Sequence, residues 1–271
     1  MAFHLESYLE HAGPLSLEGI DFDRARHWPL DEDMLRALAY FTDVEGHTIM
    51  WVRDLLNTGI RHDPRVTTFI SCWAYQELFH SRAIDKFLRA YGAPTGEERL
   101  HEVRSNIRVL KERFEAVGSW LIGIHPGVQK ATYYSWGAAA EYTTLTGYAL
   151  LARRTNNPVL REVLLRIGKD ERKHFAFYFN EAKEALKHSE LVRQCTYWLL
   201  DWLWTPVGSG IKPQAEVDFL TRYLADTDGG RGREALLDID RTIARLPGLH
   251  RFAKMRKVME GLGLLDQRPA S

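Results

Sequence analysis

Two Glu-x-x-His motifs in this sequence have the spacing of metal ligands: Glu77 with His80, and Glu171 with His174. Because residues three apart lie on the same face of an α-helix, both side chains of a motif can reach one metal ion. A lone glutamate precedes each motif at nearly the same distance, which gives six candidate ligands: Glu45, Glu77, His80, Glu141, Glu171 and His174. Four helices presenting Glu, Glu-x-x-His, Glu and Glu-x-x-His supply the ligands of carboxylate-bridged dimetal bundles. The sequence therefore predicts a dinuclear metal site.

A third pair with the same spacing, Glu98 and His101, has different surroundings. Thr95 and Glu98 form a capping-box signature, and the charged neighbours of Glu98 indicate a solvated outer helix, so we exclude this pair. The six candidate ligands instead lie on apolar helical faces, where ionisable groups are costly to bury without a cation. Carboxylates and imidazoles suit iron or manganese. We predict two iron ions with O₂ as co-substrate, and manganese is the alternative metal.

Helical periodicity runs through most of the chain, and no segment alternates convincingly with the period of a strand. The ligands fall on four predicted helices, at about 31–58, 64–91, 126–154 and 158–188. Asp63-Pro64 and Asn157-Pro158 mark two of the helix starts as an N-cap followed by proline. Further helices are predicted at about 190–205, 213–226, 233–245 and 248–262. We expect an all-α fold with an irregular N-terminal arm (1–30), a single helical domain (31–265) and a C-terminal tail (266–271).

The composition excludes several other classes of protein. The chain has 271 residues, 45% of them apolar, and a formal net charge of zero, so no overall basic field favours nucleic acid or an anionic membrane. The N-terminus lacks the basic start and apolar run of a signal peptide, and the apolar stretch 195–207 is too short to span a bilayer. Cys72 and Cys195 lack a metal-type spacing, which predicts reduced thiols. We expect a cytoplasmic protein without a membrane span.

The ligand helices resemble those of the soluble acyl-carrier-protein (acyl-ACP) desaturases, a family of ferritin-like diiron proteins. The segment from Trp73 to His80 is similar to that family's Trp-x-x-Glu-Glu-x-x-His motif, and the segment from Asp170 to His174 is similar to its Asp-Glu-Lys-Arg-His motif. Weaker similarities cover Tyr134 to Trp136, Glu141 to Thr144, and Arg245 to Pro247. The chain departs from the family at Gln76, which replaces the first acidic residue of the Glu-Glu pair. The resemblance extends over most of the chain from about residue 31.

This resemblance implies a ferritin-like four-helix bundle core with additional C-terminal helices, and it gives roles to individual residues. The six candidate ligands would bind iron, Asp170 would be a partner of His80, and Thr144 would place a hydroxyl near the O₂ face. From the residues alone, two other readings stay open. Asp170 can instead form a surface ion pair with a nearby Lys or Arg, and Thr144 can simply pack within its helix.

Single positions distinguish this chain from relatives of the same scaffold. A ribonucleotide reductase small subunit would place a radical tyrosine one turn after the first histidine, where this chain has Ile84. The diiron arylamine N-oxygenases have an extra histidine four residues before the last glutamate ligand, where this chain has Ile167. Iron-storage ferritins resemble this chain only in its four-helix core. These comparisons favour neither radical storage nor the extra-histidine N-oxygenases.

The predicted function is O₂-dependent desaturation of an acyl chain that is carried as a thioester on an acyl carrier protein. The resemblance also implies a ferredoxin-like electron donor and a homodimer. The alternatives are a diiron hydroxylase or N-oxygenase of a biosynthetic intermediate, and a non-catalytic ferritin-like metal-binding protein.

Two groups of side chains have open interpretations in this scheme. A basic group on a late helix provides a docking patch for an acidic carrier or, equally well, a solvated helical face: Arg251, Lys254, Arg256 and Lys257. An aromatic group lines a channel for the acyl chain or belongs to the core: Phe175, Tyr178, Trp198, Trp202 and Trp204.

Overall fold

The structure of the protein is a computed structural model that describes residues 3–56, 59–99, 103 and 125–265. The α-helices are α1 (Leu5–His11), α2 (Glu32–Glu45), α3 (Thr48–Leu56), α4 (Pro64–Tyr91), α5 (Pro126–Arg154), α6 (Pro158–Ala185), α7 (Glu190–Leu203), α8 (Gln214–Ala225), α9 (Arg231–Ile243) and α10 (Lys254–Gly261). Short 3₁₀ helices span Phe22–His27 and Gly59–His62. No strand occurs within the described ranges, where an isolated bridge joins Ser209 and Lys212. The all-α prediction is confirmed.

The long helices begin where the cap residues predict. The Asp63 side chain accepts a hydrogen bond from the backbone N–H of Arg65, and Pro64 opens α4. The Asn157 side chain accepts from two backbone N–H groups in the first turn of α6, which Pro158 opens. Proline fits these positions because the first N–H groups of a helix have no partner within it. These caps fix where the two helices with Glu-x-x-His motifs start.

The prediction of one continuous helix over 31–58 is wrong. Helix α2 ends at Glu45, and α3 starts at Thr48. Beside the break, the Ser81 hydroxyl donates to the Thr42 carbonyl at 3.0 Å, which joins the end of α2 to α4 next to His80. Because the break changes the helical phase, Ile49 faces away from the core and is 60% exposed. Glu45 therefore sits at a helix end.

The N-terminal arm has more regular structure than the sequence predicts. It contains α1 and a 3₁₀ helix, and Tyr8 is buried. The ring of Phe3 packs against Phe177 of α6 at a centroid distance of 5.3 Å and against Phe69 of α4 at 6.3 Å. The arm therefore covers a side of the core formed by α4 and α6.

Helices α5 and α6 form a close antiparallel pair. A Cβ atom on Gly137 would lie 2.4 Å from the ring of Tyr178, so only glycine lets the two helices approach this closely. Helices α7 and α9 both pack against α5. The additional C-terminal helices are therefore attached to the core through the helix that carries Glu141.

Several predictions concern residues at the edge of the described ranges. The glutamate half of the capping box is present, because Glu98 Oε2 accepts from the backbone N–H of Thr95 at 2.6 Å. His101 and the tail 266–271 lie outside the described residues.

Cys72 and Cys195 are free thiols. Among the described helices, none is long and apolar enough to cross a membrane.

The cap of α6 gives a stability prediction. Asn157 is fully buried, and its amide nitrogen also donates to the carbonyls of Ala25 and Trp28, at 2.7 and 3.0 Å. Asn157→Ala removes both the cap and these links, so we expect the free energy of unfolding to fall by about 2–4 kcal/mol. Denaturant unfolding measures the change.

Ser189→Ala is the matched control, because Ser189 caps α7 through a bond to Val192 N–H. Ser189→Ala should lower the free energy of unfolding by about 1 kcal/mol. If Asn157→Ala costs no more than Ser189→Ala, the links to the N-terminal arm contribute nothing to stability.

Candidate metal centre

The structure brings all six predicted ligands together in the core. Glu45 is the last residue of α2, Glu141 lies in the middle of α5, and the two Glu-x-x-His motifs lie on α4 and α6. None of the six residues is more than 6% exposed. Side chains that are distant in sequence therefore converge on one buried position between four helices.

The six residues divide into two overlapping groups, each able to hold one metal ion. One group is Glu45, Glu77, His80 and Glu171, and the other is Glu77, Glu141, Glu171 and His174; the donor atoms within each group lie within 4.8 Å of one another. Glu77 and Glu171 belong to both groups. These two carboxylates could therefore contribute to both metal positions, and one glutamate with one histidine would complete each position.

Both histidines turn the same ring nitrogen toward the carboxylates. His80 Nδ1 lies 2.9 Å from Glu171 Oε1, and His174 Nδ1 lies 3.0 Å from Glu77 Oε1. Each histidine thus faces the glutamate of the other motif. The Nε2 atoms point away from the cluster and meet other residues.

The buried donor atoms fit a pair of cations. Glu77 Oε1, both carboxylate oxygens of Glu171 and the Nδ1 atoms of both histidines have no well-formed hydrogen bond among the described residues. Buried polar atoms without partners are costly, and these five face one another. Two divalent ions would satisfy them and nearly balance four carboxylates.

The electrostatics of the cluster indicate the same requirement. Burial, strengthened by repulsion from Glu77, raises the pKa of Glu45 well above its usual range, and burial also raises the pKa of Glu141. Burial opposes ionisation of Glu77 as well, but its close contacts with Glu45 and with the imidazoles of His174 and His80 hold its pKa well below the usual range. Some carboxyl groups of the cluster therefore keep their protons when no metal is bound, and metal binding would displace these protons.

Asp170 lies between His80 and Lys173, one from each of the two interpretations that the sequence left open. Its Oδ2 lies 3.6 Å from His80 Nε2, and its Oδ1 pairs with Lys173 Nζ at 2.8 Å. Although burial opposes ionisation, these two neighbours lower the pKa of Asp170 to about 2. An ionised carboxylate therefore stands behind His80, at a distance longer than a hydrogen bond.

Three further residues contact the cluster and were not among the predicted site residues. The Tyr148 hydroxyl donates to Glu45 Oε1 at 2.6 Å. Gln76 Oε1 lies 2.9 Å from His174 Nε2 and accepts from the Tyr8 hydroxyl at 2.5 Å. The spacing of Tyr148, seven residues after Glu141 on the same helical face, is a signal that could have identified it. Nothing in the sequence places Tyr8 here.

A pocket of about 640 Å³ reaches the cluster. Its lining includes the ligands Glu45, Glu77 and Glu141, and also Thr144, whose hydroxyl donates to the Ala140 carbonyl at 3.2 Å. The remaining lining is mostly aromatic and aliphatic: Val44, Trp51, Leu55, Trp73, Tyr133, Trp136, Tyr178, Trp202, Leu203, Val207 and Ile211 are among it. Among the described residues that line the pocket, none is Lys, Arg or His.

The predicted aromatic channel is only partly correct. Tyr178 and Trp202 line the pocket, but Phe175, Trp198 and Trp204 do not. Trp198 is 61% exposed on α7, and Trp204 is buried against Phe252. Helical periodicity could not separate these cases, because the pocket wall also depends on the loop that follows α7.

That loop, residues 204–213, is tied to α2 at two points. The Tyr40 hydroxyl donates to the Val207 carbonyl at 2.6 Å, and Lys212 pairs with buried Asp43 at 2.7 Å. Gly208 has φ +89, and a Cβ there would lie 2.1 Å from the Tyr40 hydroxyl. The helix that carries Glu45 therefore also holds one wall of the pocket.

Comparison with known proteins supports the fold. One solved structure with a similar fold is an R2-like ligand-binding oxidase mutant with an aerobically reconstituted Mn/Fe cofactor. The TM-score is 0.55 at 17% identity, and the match covers 96% of this chain and 90% of that one. The fold is thus a ferritin-like helical bundle, as predicted. No protein-family model and no curated protein matches the chain.

The site predicts the effect of removing a shared ligand. Glu77→Ala and Glu171→Ala each remove a carboxylate common to both metal positions, so each variant should lose at least one of two bound ions. Iron analysis after anaerobic loading with Fe²⁺ measures this. Glu98→Ala, a glutamate of the excluded pair, should keep both ions. If Glu77→Ala and Glu171→Ala both still bind two ions, the metal site lies elsewhere in the protein.

Proposed function

We propose that this chain is an O₂-dependent dimetal oxidase that holds two iron ions, with manganese as the alternative, at the six clustered residues. The observation that carries the proposal is the buried Glu/His cluster at the end of an apolar pocket. The Mn/Fe cofactor of the R2-like oxidase with a similar fold supports it. Glu45, Glu77, His80 and Glu171 would hold one ion, and Glu77, Glu141, Glu171 and His174 would hold the other.

The pocket determines the kind of substrate that reaches the metals. Its volume falls within the roughly 300–1,000 Å³ of small-molecule sites. Since no cationic side chain lines its described wall, nothing there would pair with an anionic group of the substrate, and the aromatic wall favours apolar groups. The small side chain of Ala140 leaves space beside Glu141. The pocket therefore suits an uncharged acyl chain.

Each residue near the cluster has a defined task in this proposal. When bound, the two metal ions would supply the oxidising power by activating O₂. Tyr148 holds a proton against Glu45 Oε1, Asp170 keeps a negative charge behind His80, and Thr144 places a hydroxyl on the pocket wall beside Glu141. The apolar wall excludes water and positions one carbon of the substrate.

The specific reaction that we propose is desaturation of an acyl chain carried as a thioester, with an acyl carrier protein as carrier and a ferredoxin-like electron donor. The resemblance of the ligand helices to acyl-ACP desaturases supports this assignment, as does the apolar pocket. The same resemblance supports a homodimer. The proposed basic docking patch is weakened by internal pairing, since Lys257 pairs with Asp201 at 2.7 Å and Arg251 lies over the ring of Tyr197.

A single-turnover reaction tests the proposed function. The iron-loaded protein is reduced under anaerobic conditions, mixed with an acyl thioester and then exposed to O₂, and the product is analysed by mass spectrometry. Loss of two hydrogens supports desaturation. Gain of one oxygen would instead identify a hydroxylase or N-oxygenase, and an unchanged substrate across acyl lengths would contradict an oxidase acting on this class.

Filling the pocket should separate substrate access from metal binding. Ala140 lines the pocket beside Glu141, so Ala140→Phe should reduce turnover at least about tenfold by excluding substrate while both ions stay bound. The matched control is Ala215→Phe on the exposed face of α8, which should leave both properties unchanged. Product formation and iron content are measured together. Full turnover in Ala140→Phe would show that substrate approaches by another path.

A further inference from the structure

A short chain of hydrogen bonds joins the N-terminal arm to the metal centre. The Tyr8 hydroxyl on α1 donates to Gln76 Oε1, and the same oxygen lies 2.9 Å from His174 Nε2. All three side chains are buried. Tyr8 itself is fixed by ring packing against Phe3 and Phe69, at centroid distances of 5.6 and 5.3 Å.

The orientation of the Gln76 amide matters because its two ends have opposite hydrogen-bonding properties. With the oxygen toward His174, Nε2–H of the imidazole donates, and Nδ1 is free to present its lone pair to a metal ion. With the amide reversed, its NH₂ group would face Nε2 and favour the imidazole tautomer that carries its proton on Nδ1. That proton would occupy the position that a metal ion needs.

A hydroxyl group can select between the two amide orientations. A tyrosine hydroxyl can donate to the carbonyl end of an amide or accept from its NH₂ end, but only the carbonyl end gives the buried O–H proton of Tyr8 an acceptor, as Gln76 Oε1 does here. We propose that Tyr8 is a positioning residue that fixes the Gln76 amide with its oxygen toward His174, and thereby keeps His174 Nδ1 available to the metal ion beside Glu141. This inference rests on the dimetal centre proposed above.

The other histidine does not need such a device. His80 faces Asp170, a carboxylate whose two oxygens are chemically equivalent, so either orientation presents an acceptor. A neutral amide stands only behind His174. The requirement for an orienting hydroxyl therefore arises from glutamine at position 76, and a carboxylate there should remove it.

This difference supplies a direct test. Full-length metal-free protein is titrated with Mn²⁺, and free Mn²⁺ is followed by its electron paramagnetic resonance signal. Tyr8→Phe is compared with wild type, and the same change is repeated in a Gln76→Glu background. Tyr8→Phe keeps the ring and its packing and removes only the hydroxyl.

We expect Tyr8→Phe to weaken binding of one of the two ions about tenfold, the lower end of the 10–100-fold effect typical of residues behind metal-ligating histidines. Binding of the other ion should stay the same. In the Gln76→Glu background, the same substitution should change either affinity by no more than about twofold, within the usual error of additivity.

Tyr91→Phe is the matched control, because Tyr91 also links the N-terminal arm to α4 by accepting from Leu30 N–H at 2.7 Å. It should leave both affinities unchanged. If the Gln76→Glu variant does not fold, the comparison of Tyr8→Phe with Tyr91→Phe still tests whether the Tyr8 hydroxyl supports metal binding. Gln194→Glu, an exposed change on α7, controls for added charge.

The possible failures are distinguishable. Fewer than two Mn²⁺ ions in wild type would contradict the dimetal centre itself. Two ions with unchanged affinities in Tyr8→Phe would overturn only the orienting role of Tyr8. An equal loss of affinity with Gln76 and with Glu at position 76 would also overturn it, since packing alone would then account for the effect.

Discussion

The burial of four carboxylates and two imidazoles in one helical core is the constraint on which this structure depends. Such groups lose their hydration on burial, and this loss, together with repulsion from Glu77, raises the pKa of Glu45. The five donor atoms without well-formed hydrogen bonds among the described residues indicate that protein contacts do not replace that hydration. Two cations would do so at the centre of the cluster. The relative position of the six side chains then depends on the four helices together, on the close approach of α5 and α6 at Gly137, and on the break after Glu45.

The surroundings of the cluster differ on its two sides. On one side the pocket meets Glu45, Glu77 and Glu141 through an apolar wall. On the other side the histidines turn their Nε2 atoms toward Asp170 and Gln76. The pocket wall and the contacts behind the histidines are therefore provided by different residues, so either can be changed by mutation while the other is kept. The N-terminal arm contributes to the contacts behind the histidines, because Tyr8 donates to Gln76.

The convergence of the six candidate ligands was predictable because it depends on local rules. Spacing of i, i+3 places Glu77 and His80 on one helix face, and the cap-plus-proline starts at Asp63 and Asn157 fix the helices in register. The break after Glu45 was not predictable, since it depends on a contact from Ser81 on another helix.

The positions of the aromatic side chains and of Tyr8 depend on tertiary packing in the same way. Trp198 and Trp202 share an amphipathic helix, yet only Trp202 lines the pocket, because the loop 204–213 forms its wall. Tyr8 reaches Gln76 across a long separation in sequence, and no local pattern encodes that contact. The identity of the substrate depends on the pocket shape, which no sequence period describes.

Anomalous diffraction from crystals of the metal-loaded protein, recorded at the iron and manganese absorption edges, tests the central claim most directly. The account predicts two anomalous peaks about 3.5–4 Å apart, the separation of typical two-metal sites. One peak should lie beside His80 and Glu45 and the other beside His174 and Glu141, with Glu77 and Glu171 between them. A single peak, or peaks away from these six residues, would contradict it.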